Sequence, residues 1–446
     1  MHDYNRGGSH IILKYAGRDA TKAFEPIHPN DVLQRYIPAE LNLGPVEESN
    51  TSRNSTSDTI QPTKKRDGRN TSPKPKLRSI INMRDFERAA SQLLPARSFA
   101  FFQGGAEDEQ TIEWNRDSWK KIHFRPRVLR PIPSVDLTTS IFGTKYSAPF
   151  FICPAGGGKL AHPTGEVLLT EAAGKHDILH WVCNNAGCTQ REMADARSPA
   201  QTLFWQIYAV EDLSITEKEI KQAVALGYKG FALTVDAIRA GKRERDLRLR
   251  LEEEDETDGE DDDDDGFASG PTVKRSDLQI ASHLFTDLDF PTAVKWLREI
   301  THLPIAIKGI QCWEDAALCM KYGVHPWLSN HGGRQLEGAP SAVDTLLAIR
   351  HHCPEVLNRC EVIVDGGVTR GTDIVKALAL GAKAVGLGRG FLYALALGDK
   401  GVSKAIRILK HEVETTMALL GVTSVDQLDG SYVRWRACDG LPRSNL

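Results

Sequence analysis

Residues 360–390, CEVIVDGGVTRGTDIVKALALGAKAVGLGRG, contain two apolar runs separated by an amphipathic stretch. The first run, CEVIVDGG, is short and β-favouring and ends in two glycines, and the last run, KAVGLGRG, has the same form. Between them, GTDIVKALALG places its apolar residues at helical spacing. Two parallel strands need a crossover of about this length, and a helix usually supplies it. The stretch therefore predicts one strand–helix–strand unit.

The same alternation runs through most of the chain. Continuous apolar runs alternate with amphipathic stretches such as GEVLLTEAAGKH and SAVDTLLAIRHH, a pattern typical of a parallel sheet covered by helices. Eight such units predict a (β/α)8 TIM barrel, and the sequence PAGGGK does not match the G-x-G-x-x-G fingerprint of an open dinucleotide-binding sheet. The eight predicted strands are 148–154, 179–184, 202–208, 230–236, 303–309, 324–330, 360–367 and 383–390.

Two segments differ in composition from the predicted barrel. Residues 45–78 are mostly polar, rich in Ser, Thr and Asn, and lack an apolar period, which predicts a flexible linker. Residues 252–268 begin with a block that carries twelve carboxylates, and such a run of like charge predicts a disordered acidic loop. The sequence thus divides into a short segment at 1–44, the linker, and an α/β domain at 79–446.

Composition narrows the classes of function. Without the twelve carboxylates, the net charge of −3 becomes about +9, a modest excess that suits phosphate or carboxylate ligands and does not indicate nucleic-acid binding. No apolar run approaches the roughly 20 residues of a membrane helix, and the first ten residues lack the apolar core of a secretory signal. The eight cysteines form no C-x-x-C pair, so we predict no metal site and expect reduced thiols in a cytoplasmic protein.

Polar residues mark the ends of six consecutive predicted strands. Chemistry in a (β/α)8 barrel gathers where the strands end and the loops begin, so these positions are candidates for an active site. One buried polar residue at a strand end is usually structural, but six strands in a row are hard to explain by packing. The positions are Gln206, Tyr208, Thr234, Asp236, Lys308, Ser329, His331 and Arg334, followed by residues 365–367 and 388–390.

These residue types suit one kind of chemistry. Loops after the last two strands of such barrels commonly bind phosphate, and Arg389 adds a guanidinium there. Lys308 can stabilise negative charge on a reduced ring cofactor, and His331 can act as a base whose tautomer Asp236 fixes. Arg334 can bind a carboxylate through two hydrogen bonds. Together they indicate a phosphorylated flavin that oxidises a small hydroxy acid.

Six motifs are long enough to compare with known families: GGAEDEQT, QIY, LTVD, LPIAIKG, SNHGGRQL and VDGGVTRGTDIVKALALGAKAVGLGR. From about residue 79 to the C-terminus, the chain resembles the FMN-dependent α-hydroxy-acid dehydrogenase and oxidase family. Within that family, the fungal flavocytochrome L-lactate dehydrogenases are the most similar. The resemblance implies a (β/α)8 barrel, FMN as cofactor, a small-molecule substrate and a homo-oligomer, with a tetramer as the family precedent.

The resemblance also implies roles for individual residues. His331 matches the catalytic base, and Asp236 matches the carboxylate that orients it. Arg334 matches the residue that holds the substrate carboxylate, Tyr208 a hydrogen-bond partner of the substrate hydroxyl, and Arg243 a second, mobile guanidinium. The positions that match FMN contacts are Pro154, Ala155, Gly156, Cys183, Gln206, Thr234, Lys308 and Ser329 around the ring, and Asp365, Gly366, Gly367, Thr369, Gly388 and Arg389 at the phosphate.

Residues 7–29, GGSHIILKYAGRDATKAFEPIHP, resemble the second half of a cytochrome-b5-like haem domain. His28 matches the second axial histidine of that family, whereas the first axial histidine is matched by Asn5. One ligand and about forty residues are marginal for holding haem between two histidines. The resemblance therefore implies that 1–44 is a truncated, haem-free remnant.

Three departures from the family pattern lie near the flavin, and the third includes Pro-Ala-Gly at 154–156 in place of the usual Pro-Thr-Ala. Phe101 stands where a tyrosine binds the substrate carboxylate, and the loss of such a hydrogen bond costs about 1.5–3 kcal/mol, or roughly ten- to a hundredfold. Thr369 replaces a phosphate-binding arginine, for which Arg370 is a candidate substitute, and Cys183 replaces a serine. Two alternatives therefore stay open, a flavin enzyme with a different hydroxylated substrate and a catalytically silent FMN-binding protein. The electron acceptor, oxygen or an external molecule, is also open.

Overall fold

The computed structural model describes residues 75–255 and 287–435, which contain a closed barrel of eight parallel strands. The strands are β1 (Ile122–Phe124), β2 (Thr139–Ile141), β3 (Thr144–Tyr146), β4 (Phe150–Ile152), β5 (His180–Cys183), β6 (Leu203–Ile207), β7 (Phe231–Thr234), β8 (Ile305–Ile310), β9 (His325–Leu328), β10 (Ile363–Val364), β11 (Ala384–Leu387) and β12 (Val433–Trp435). Strands β4 to β11 follow one another around the barrel, and β11 closes it by pairing with β4. All eight predicted strands and the TIM-barrel prediction are confirmed.

Helices follow the barrel strands and cover the outside of the barrel. They are α1 (Met83–Leu93), α2 (Ala96–Gln103), α3 (Gln110–Lys120), α4 (Gly158–Ala161), α5 (Glu166–Lys175), α6 (Gln190–Asp195), α7 (Leu213–Ala225), α8 (Glu244–Asp255), α9 (Phe290–Ile300), α10 (Trp313–Lys321), α11 (Ala342–His352), α12 (Glu355–Arg359), α13 (Gly371–Ala379), α14 (Arg389–Leu395) and α15 (Gly398–Leu420). Asp212, Asp289 and Ser341 precede α7, α9 and α11, and each side chain accepts a hydrogen bond from a backbone N–H of the first turn. These caps fix where the helices begin.

The barrel interior is filled in layers that follow the two-residue period of the strands. A lower layer combines large aromatic residues with alanines, and its members are Phe151, Trp181, Phe204, Trp327, Ala232, Ala306 and Ala384, all fully buried. Two residues further along most of these strands, or just beyond their ends, comes a buried polar layer of Cys153, Cys183, Gln206, Thr234, Lys308, Ser329 and Asp365. The strand period therefore places the predicted cofactor residues together, at the C-terminal mouth of the barrel.

The hairpin β2–β3 covers the opposite end of the barrel. Its turn holds Phe142 at φ +48° and Gly143 at φ +77°, the left-handed geometry of a two-residue hairpin turn. The ring of Phe142 stacks 5.8 Å from that of Phe204 and meets Trp181 edge-on at 5.8 Å. The hairpin tip thus closes this end with aromatic packing.

Two predicted boundaries shift in the structure. Helix α8 continues to Asp255, so the first residues of the predicted loop 252–268 are helical, as expected because glutamate is a good helix former. A short 3-10 helix at Leu77–Ser79 is tied down by Lys404, whose Nζ donates to the Leu77 carbonyl at 2.6 Å. The linker predicted at 45–78 therefore ends before residue 77. The predicted segment 1–44 and residues 45–74 and 256–268 lie outside the described residues.

Two further observations bear on the sequence predictions. None of the helices in 75–255 and 287–435 combines the length and apolar character required to cross a membrane. Seven cysteines of these ranges are free thiols, which agrees with the prediction of reduced cysteines.

Candidate active site

His331 and Asp236 meet at the centre of the mouth. Asp236 follows β7 and His331 follows β9, and the imidazole Nδ1 lies 2.8 Å from Asp236 Oδ1. Because a carboxylate can only accept here, we assign the proton to Nδ1, which leaves the Nε2 lone pair available. The carboxyl group is 1% exposed, whereas the imidazole is 21% exposed. The hydrogen bond to Asp236 therefore fixes the imidazole ring and leaves Nε2 as a basic nitrogen at the mouth.

A left-handed turn sets the position of this ring. His331, Gly332 and Gly333 have φ values of +58°, +67° and +76°, and a non-glycine residue in this region is strained. The Ser329 hydroxyl accepts from the His331 backbone N–H at 3.1 Å, and the Asn330 side chain accepts from the Gly333 N–H at 3.0 Å. The left-handed backbone thus explains the two glycines of the motif, and the side chains of Ser329 and Asn330, directly after β9, hold the turn that contains the strained histidine.

Lys308 supplies a buried positive charge beside the dyad. Its Nζ lies 3.9 Å from Asp236 Oδ2 and donates to Ser329 Oγ at 3.2 Å. Burial favours the neutral amine, but the carboxylates of Asp236 and Asp365 outweigh it and raise the pKa of Lys308. Burial would likewise raise the pKa of Asp236, but the charges of Lys308 and His331 lower it. Lys308 therefore stays a cation and Asp236 a carboxylate near neutral pH.

The protonation of His331 follows from the same surroundings. Burial lowers the pKa of the imidazole, and the charge of Lys308 acts in the same direction, while Asp236 opposes both. The net pKa lies below the ordinary value for histidine. His331 is consequently neutral at pH 7 and can accept a proton.

Arg334 provides a half-buried guanidinium directly after the turn. Its Nη1 donates at 2.8 Å to the carbonyls of both Phe101 and Gly104, and its Cζ lies 5.2 Å from the centre of the Phe101 ring. Burial lowers the pKa of Arg334, and the charges of Arg243 and Arg389 add to this effect. Three guanidinium groups therefore lie close enough to repel one another, an arrangement that favours an anionic ligand such as a carboxylate.

Gln335 connects Arg243 to the dyad, and sequence reasoning missed it. Its Oε1 accepts from Arg243 Nη2 at 3.3 Å, while its Nε2 donates to the backbone carbonyls of Asp236 at 3.2 Å and Arg239 at 2.8 Å. Its place next to Arg334 in the SNHGGRQL motif was the only signal in the sequence. The structure thus places Arg243 at the edge of the site. The sequence had identified this residue as a mobile guanidinium but gave it no position.

The remaining predicted residues around the ring lie at the same mouth. Tyr208 follows β6 and is half-buried, and Pro154, Ala155 and Gly156 follow β4 and are also half-buried. Gln206 Nε2 donates to Thr234 Oγ1 at 2.9 Å, and the register pairs Gln206 with Cys183 and Thr234 with Lys308. Gln206 Oε1 is buried and has no hydrogen-bond partner among the described residues. An acceptor of this kind fits the imide N–H of a flavin, so the polar layer fits FMN.

The predicted phosphate loop differs in part from the prediction. Gly366 and Gly367 adopt φ values of +94° and +71°, as a tight anion-binding turn requires. Asp365, however, points into the barrel, where its Oδ2 accepts from Trp327 Nε1 at 2.9 Å. Asp365 therefore anchors the end of β10 from inside the barrel. Because its buried carboxylate would repel a phosphate, we do not assign the Asp365 side chain as a phosphate contact.

Two further phosphate candidates are occupied by protein groups. The backbone N–H groups of Thr369 and Arg370 both donate to Asp373 Oδ2 at 3.0 Å, because Asp373 caps the start of α13. Arg370, the candidate substitute for the family arginine, pairs with Glu412 at 3.2 Å on α15. Arg389 is only partly engaged: its Nη2 donates to the Gly332 carbonyl at 2.7 Å and so supports the histidine turn, while its Nε is buried and has no hydrogen-bond partner among the described residues. The glycines at 366–367, the backbone at Gly388, which precedes α14, and the guanidinium of Arg389 are the predicted phosphate contacts that remain.

Comparison with known proteins identifies the family of this chain. The FMN-dependent dehydrogenase family matches residues 90–435, and the cytochrome b5-like haem/steroid binding domain matches residues 1–47. The chain is 42% identical to an L-lactate dehydrogenase (cytochrome) of Wickerhamomyces anomalus over 95% of this chain and 73% of that protein. It is 39% identical to a peroxisomal (S)-2-hydroxyacid oxidase of Arabidopsis thaliana over 80% of this chain and 96% of that protein.

A solved structure of a flavocytochrome b2 variant is similar throughout the barrel. It superposes with a TM-score of 0.74 at 34% identity and covers 84% of this chain and 92% of that chain. These matches confirm the family and the barrel predicted from the motifs. On the evidence of its barrel, its polar mouth and these relatives, the chain belongs to the FMN-dependent dehydrogenase family.

Proposed function

We propose that the protein oxidises an L-2-hydroxy acid to the 2-oxo acid. The observation that carries this proposal is His331, held by Asp236, together with the buried ammonium of Lys308 beside that carboxylate and the half-buried guanidinium of Arg334 three residues on. A base, a stabiliser of negative charge and a carboxylate clamp are the groups that this oxidation needs. The names of the relatives, a lactate dehydrogenase and a 2-hydroxyacid oxidase, support the same reaction.

Each residue has a distinct role in the proposed reaction. Arg334 binds the substrate carboxylate and Tyr208 the substrate hydroxyl, which orients the hydroxylated carbon. His331 Nε2 accepts a proton from the substrate, and the Asp236 carboxylate stabilises the imidazolium that results. Bound FMN supplies the acceptor for the two electrons that the substrate loses. Lys308 stabilises the negative charge that this transfer places on the ring.

Phe101 favours a second version of this function, with a substrate other than lactate. The Phe101 ring lies under Arg334 and offers no hydroxyl to a carboxylate. A small substrate such as lactate would therefore bind through Arg334 with one hydrogen bond fewer, at a cost of about 1.5–3 kcal/mol. A substrate with additional contacts would offset this loss.

The cofactor content is part of the proposal. FMN is the redox group expected from the family match and from the polar layer. We infer that residues 1–47 do not bind haem through two histidines, because Asn5 stands where the haem family has its first ligand. Electrons would then leave the flavin for oxygen or for an external acceptor.

The visible spectrum of the purified protein tests both parts of the proposal. A flavin spectrum without a Soret band, bleached by an L-2-hydroxy acid under anaerobic conditions, is the expected result. A Soret band would contradict the haem inference and leave the oxidation intact. A bound flavin that no acid of a panel reduces would contradict the oxidation and favour a silent FMN-binding protein.

A further inference from the structure

Helix α3 lies against two of the turns at the mouth. In the turn after β9, a Cβ on Gly333 would lie 2.9 Å from a backbone nitrogen in the first turn of α3. In the turn after β10, a Cβ on Gly367 would collide with the backbone oxygen of Asn115, one helical turn further along α3. Both approaches require glycine. One helix therefore touches the histidine turn and the glycine pair at 366–367.

The side chain of Asn115 reaches the histidine turn through a reciprocal amide pair. Its Nδ2 donates to Asn330 Oδ1 at 2.8 Å, and Asn330 Nδ2 donates to Asn115 Oδ1 at 2.8 Å. Both residues are 2% exposed. Asn330 directly precedes His331, and its Oδ1 also accepts from the Gly333 backbone N–H at 3.0 Å. Two buried hydrogen bonds thus connect α3 to the residue next to the base.

The same side chain lies against the glycine pair. A Cβ on Gly366, which has φ +94°, would lie 3.6 Å from Asn115 Cγ and 3.7 Å from both terminal atoms of that amide. The Gly366 carbonyl accepts from Trp119 Nε1 at 3.0 Å, which also fixes this turn to α3. A buried polar network in which every group is satisfied rigidly specifies one arrangement. A shift of the glycine turn is therefore passed to Asn330 through Asn115.

His331 depends on this support because its own backbone is strained. Its φ of +58° lies in the left-handed region, which a residue with a side chain keeps only when its surroundings hold it there. The glycine pair is the predicted site of the flavin phosphate, and an anion bound to its backbone N–H groups would order that turn. One buried amide thus lies between the predicted phosphate site and the base.

We propose that Asn115 is a positioning residue that couples phosphate binding at Gly366–Gly367 to the position of His331, so that the phosphate of the flavin contributes to the rate of substrate oxidation. This inference rests on the proposed oxidation of a 2-hydroxy acid and deepens it. Asn115 is buried beneath both turns and acts through them. Because such coupling is reciprocal, it should appear in flavin binding as well as in the rate.

The test compares FMN with riboflavin, which lacks the phosphate, in reconstituted protein. Each flavin is added at a saturating concentration, and its anaerobic reduction by L-lactate is followed by stopped flow. We expect the FMN-loaded wild type to be reduced roughly tenfold faster than the riboflavin-loaded wild type. In Asn115→Leu, which keeps the size of the side chain but loses both hydrogen bonds, the FMN rate should fall and this ratio should approach one. A merely structural loss would lower both rates by the same factor and leave the ratio unchanged.

Two further variants complete the comparison. Asn115→Ala adds no bulk and favours the helix, so it covers the case in which leucine prevents folding, and its ratio should also approach one. Ser118→Ala is the matched control on the same helix. Ser118 is 2% exposed, and its Oγ donates to the Asn115 carbonyl at 3.2 Å without taking part in the amide pair. This variant should keep the ratio of the wild type.

Flavin binding gives a readout that does not depend on turnover. Quenching of flavin fluorescence by the apoprotein yields the dissociation constants of FMN and riboflavin. In Asn115→Leu, the constant for FMN should rise roughly fivefold or more, whereas that for riboflavin should stay within about twofold, since riboflavin does not use the glycine turn. An equal rise for both flavins would overturn the inference by assigning Asn115 a general role in the pocket.

The outcomes separate this inference from the proposed function. Equal ratios of the two rates in the wild type and Asn115→Leu would overturn the inference, and so would equal rates with both flavins in the wild type. In either case, reduction of the bound flavin would leave the oxidation standing. If neither L-lactate nor any other 2-hydroxy acid reduces the FMN-loaded wild type, the proposed function fails and the inference with it.

Discussion

Strand β9 has a histidine near each end, and the two rings are used in opposite ways. His325 begins the strand at the closed end, where its ring lies 4.4 Å from that of Phe142 and its Nδ1 accepts from the Glu361 backbone N–H at 3.0 Å. His331 follows the strand at the mouth, bound to a carboxylate and flanked by an ammonium. Burial lowers the pKa of His325 to about 4, so this ring is a neutral packing element at ordinary pH.

This difference extends to the whole barrel. The closed end consists of aromatic rings and alanines, whereas the next layer along the same strands contains an ammonium, a carboxylate, an amide, two hydroxyls and two thiols. Burial of charged groups is expensive unless partners compensate for it, and here the partners belong to the site itself. The fold therefore concentrates its stability at one end and its chemistry at the other, only two residues apart along each strand.

The largest expected effect comes from removing the base at the mouth. His331→Gln should lower the rate of flavin reduction by about 10²- to 10⁴-fold, because glutamine cannot accept the proton. Anaerobic stopped-flow reduction of the bound flavin measures this rate. The melting temperature and FMN content should stay close to those of the wild type, and undiminished turnover would remove His331 from the mechanism.

A matching change at the closed end should act on stability. Phe204→Ala removes a fully buried ring that Phe142 and Trp181 contact, and should lower the free energy of unfolding by about 3–5 kcal/mol. Denaturant unfolding followed by fluorescence gives this value. Val128→Ala, at an 82% exposed position, is the control and should change it by less than about 0.5 kcal/mol. A loss of catalysis per bound flavin as large as that of His331→Gln would break the separation between the two ends.

A smaller effect, a gain in kcat/KM, is expected from a substitution at the mouth. Phe101→Tyr adds a hydroxyl next to Arg334 and should raise kcat/KM for L-lactate roughly tenfold, since a hydrogen bond to a carboxylate contributes about 1.5–3 kcal/mol. Steady-state kinetics with L-lactate measures the gain. Phe102→Tyr, at the buried neighbouring ring, is the control and should bring no such gain. An unchanged kcat/KM in Phe101→Tyr would place the substrate carboxylate away from this ring.

The smallest effects concern pH. Only neutral His331 can act as the base, so kcat/KM should fall as the pH drops through the lowered pKa of His331, below the ordinary value of about 6.5. Asp236 raises this pKa and Lys308 lowers it, so Asp236→Asn should move the acid limb to lower pH and Lys308→Met to higher pH.

The histidine of the closed end supplies the control for these shifts. His325→Gln removes a group that titrates at about 4 and lies away from the substrate, so the acid limb should stay in place. Shifts of the same sign in Asp236→Asn and Lys308→Met would contradict the electrostatic account of His331.

The sequence predicted the backbone better than the directions of side chains. Eight apolar runs were sufficient to predict the barrel, because a short run that is apolar at every position is typical of a parallel strand buried on both faces. His331 and Asp236 were predicted together because both follow strands, and in a barrel all strand ends meet at one mouth. Asp365 also follows a strand, yet the two-residue period directs it inwards to Trp327 and away from a phosphate.

Contacts between distant segments explain the other differences. Arg370 pairs with Glu412, which lies 42 residues further along the chain, and Arg389 supports the turn at Gly332. Neither partner can be read from a local pattern. The packing of α13 against α15 brings Arg370 to Glu412, and closure of the barrel brings Arg389, at the start of α14, to the turn after β9. The acceptor on Gln206 was hidden for the same reason, since an unsatisfied oxygen is visible only when all of its neighbours are placed.

The aromatic packing at Phe142 has a consequence for how substrate enters the barrel and how product leaves it. Because rings fill the axis of the barrel at that end, substrate and product of the described barrel both pass through the mouth. A departing 2-oxo acid still carries the carboxylate that Arg334 recognises, so it competes with the next substrate for the same guanidinium. Accumulated product would therefore act as a competitive inhibitor and raise the apparent KM for the substrate, so the enzyme would work fastest where its 2-oxo acid is removed.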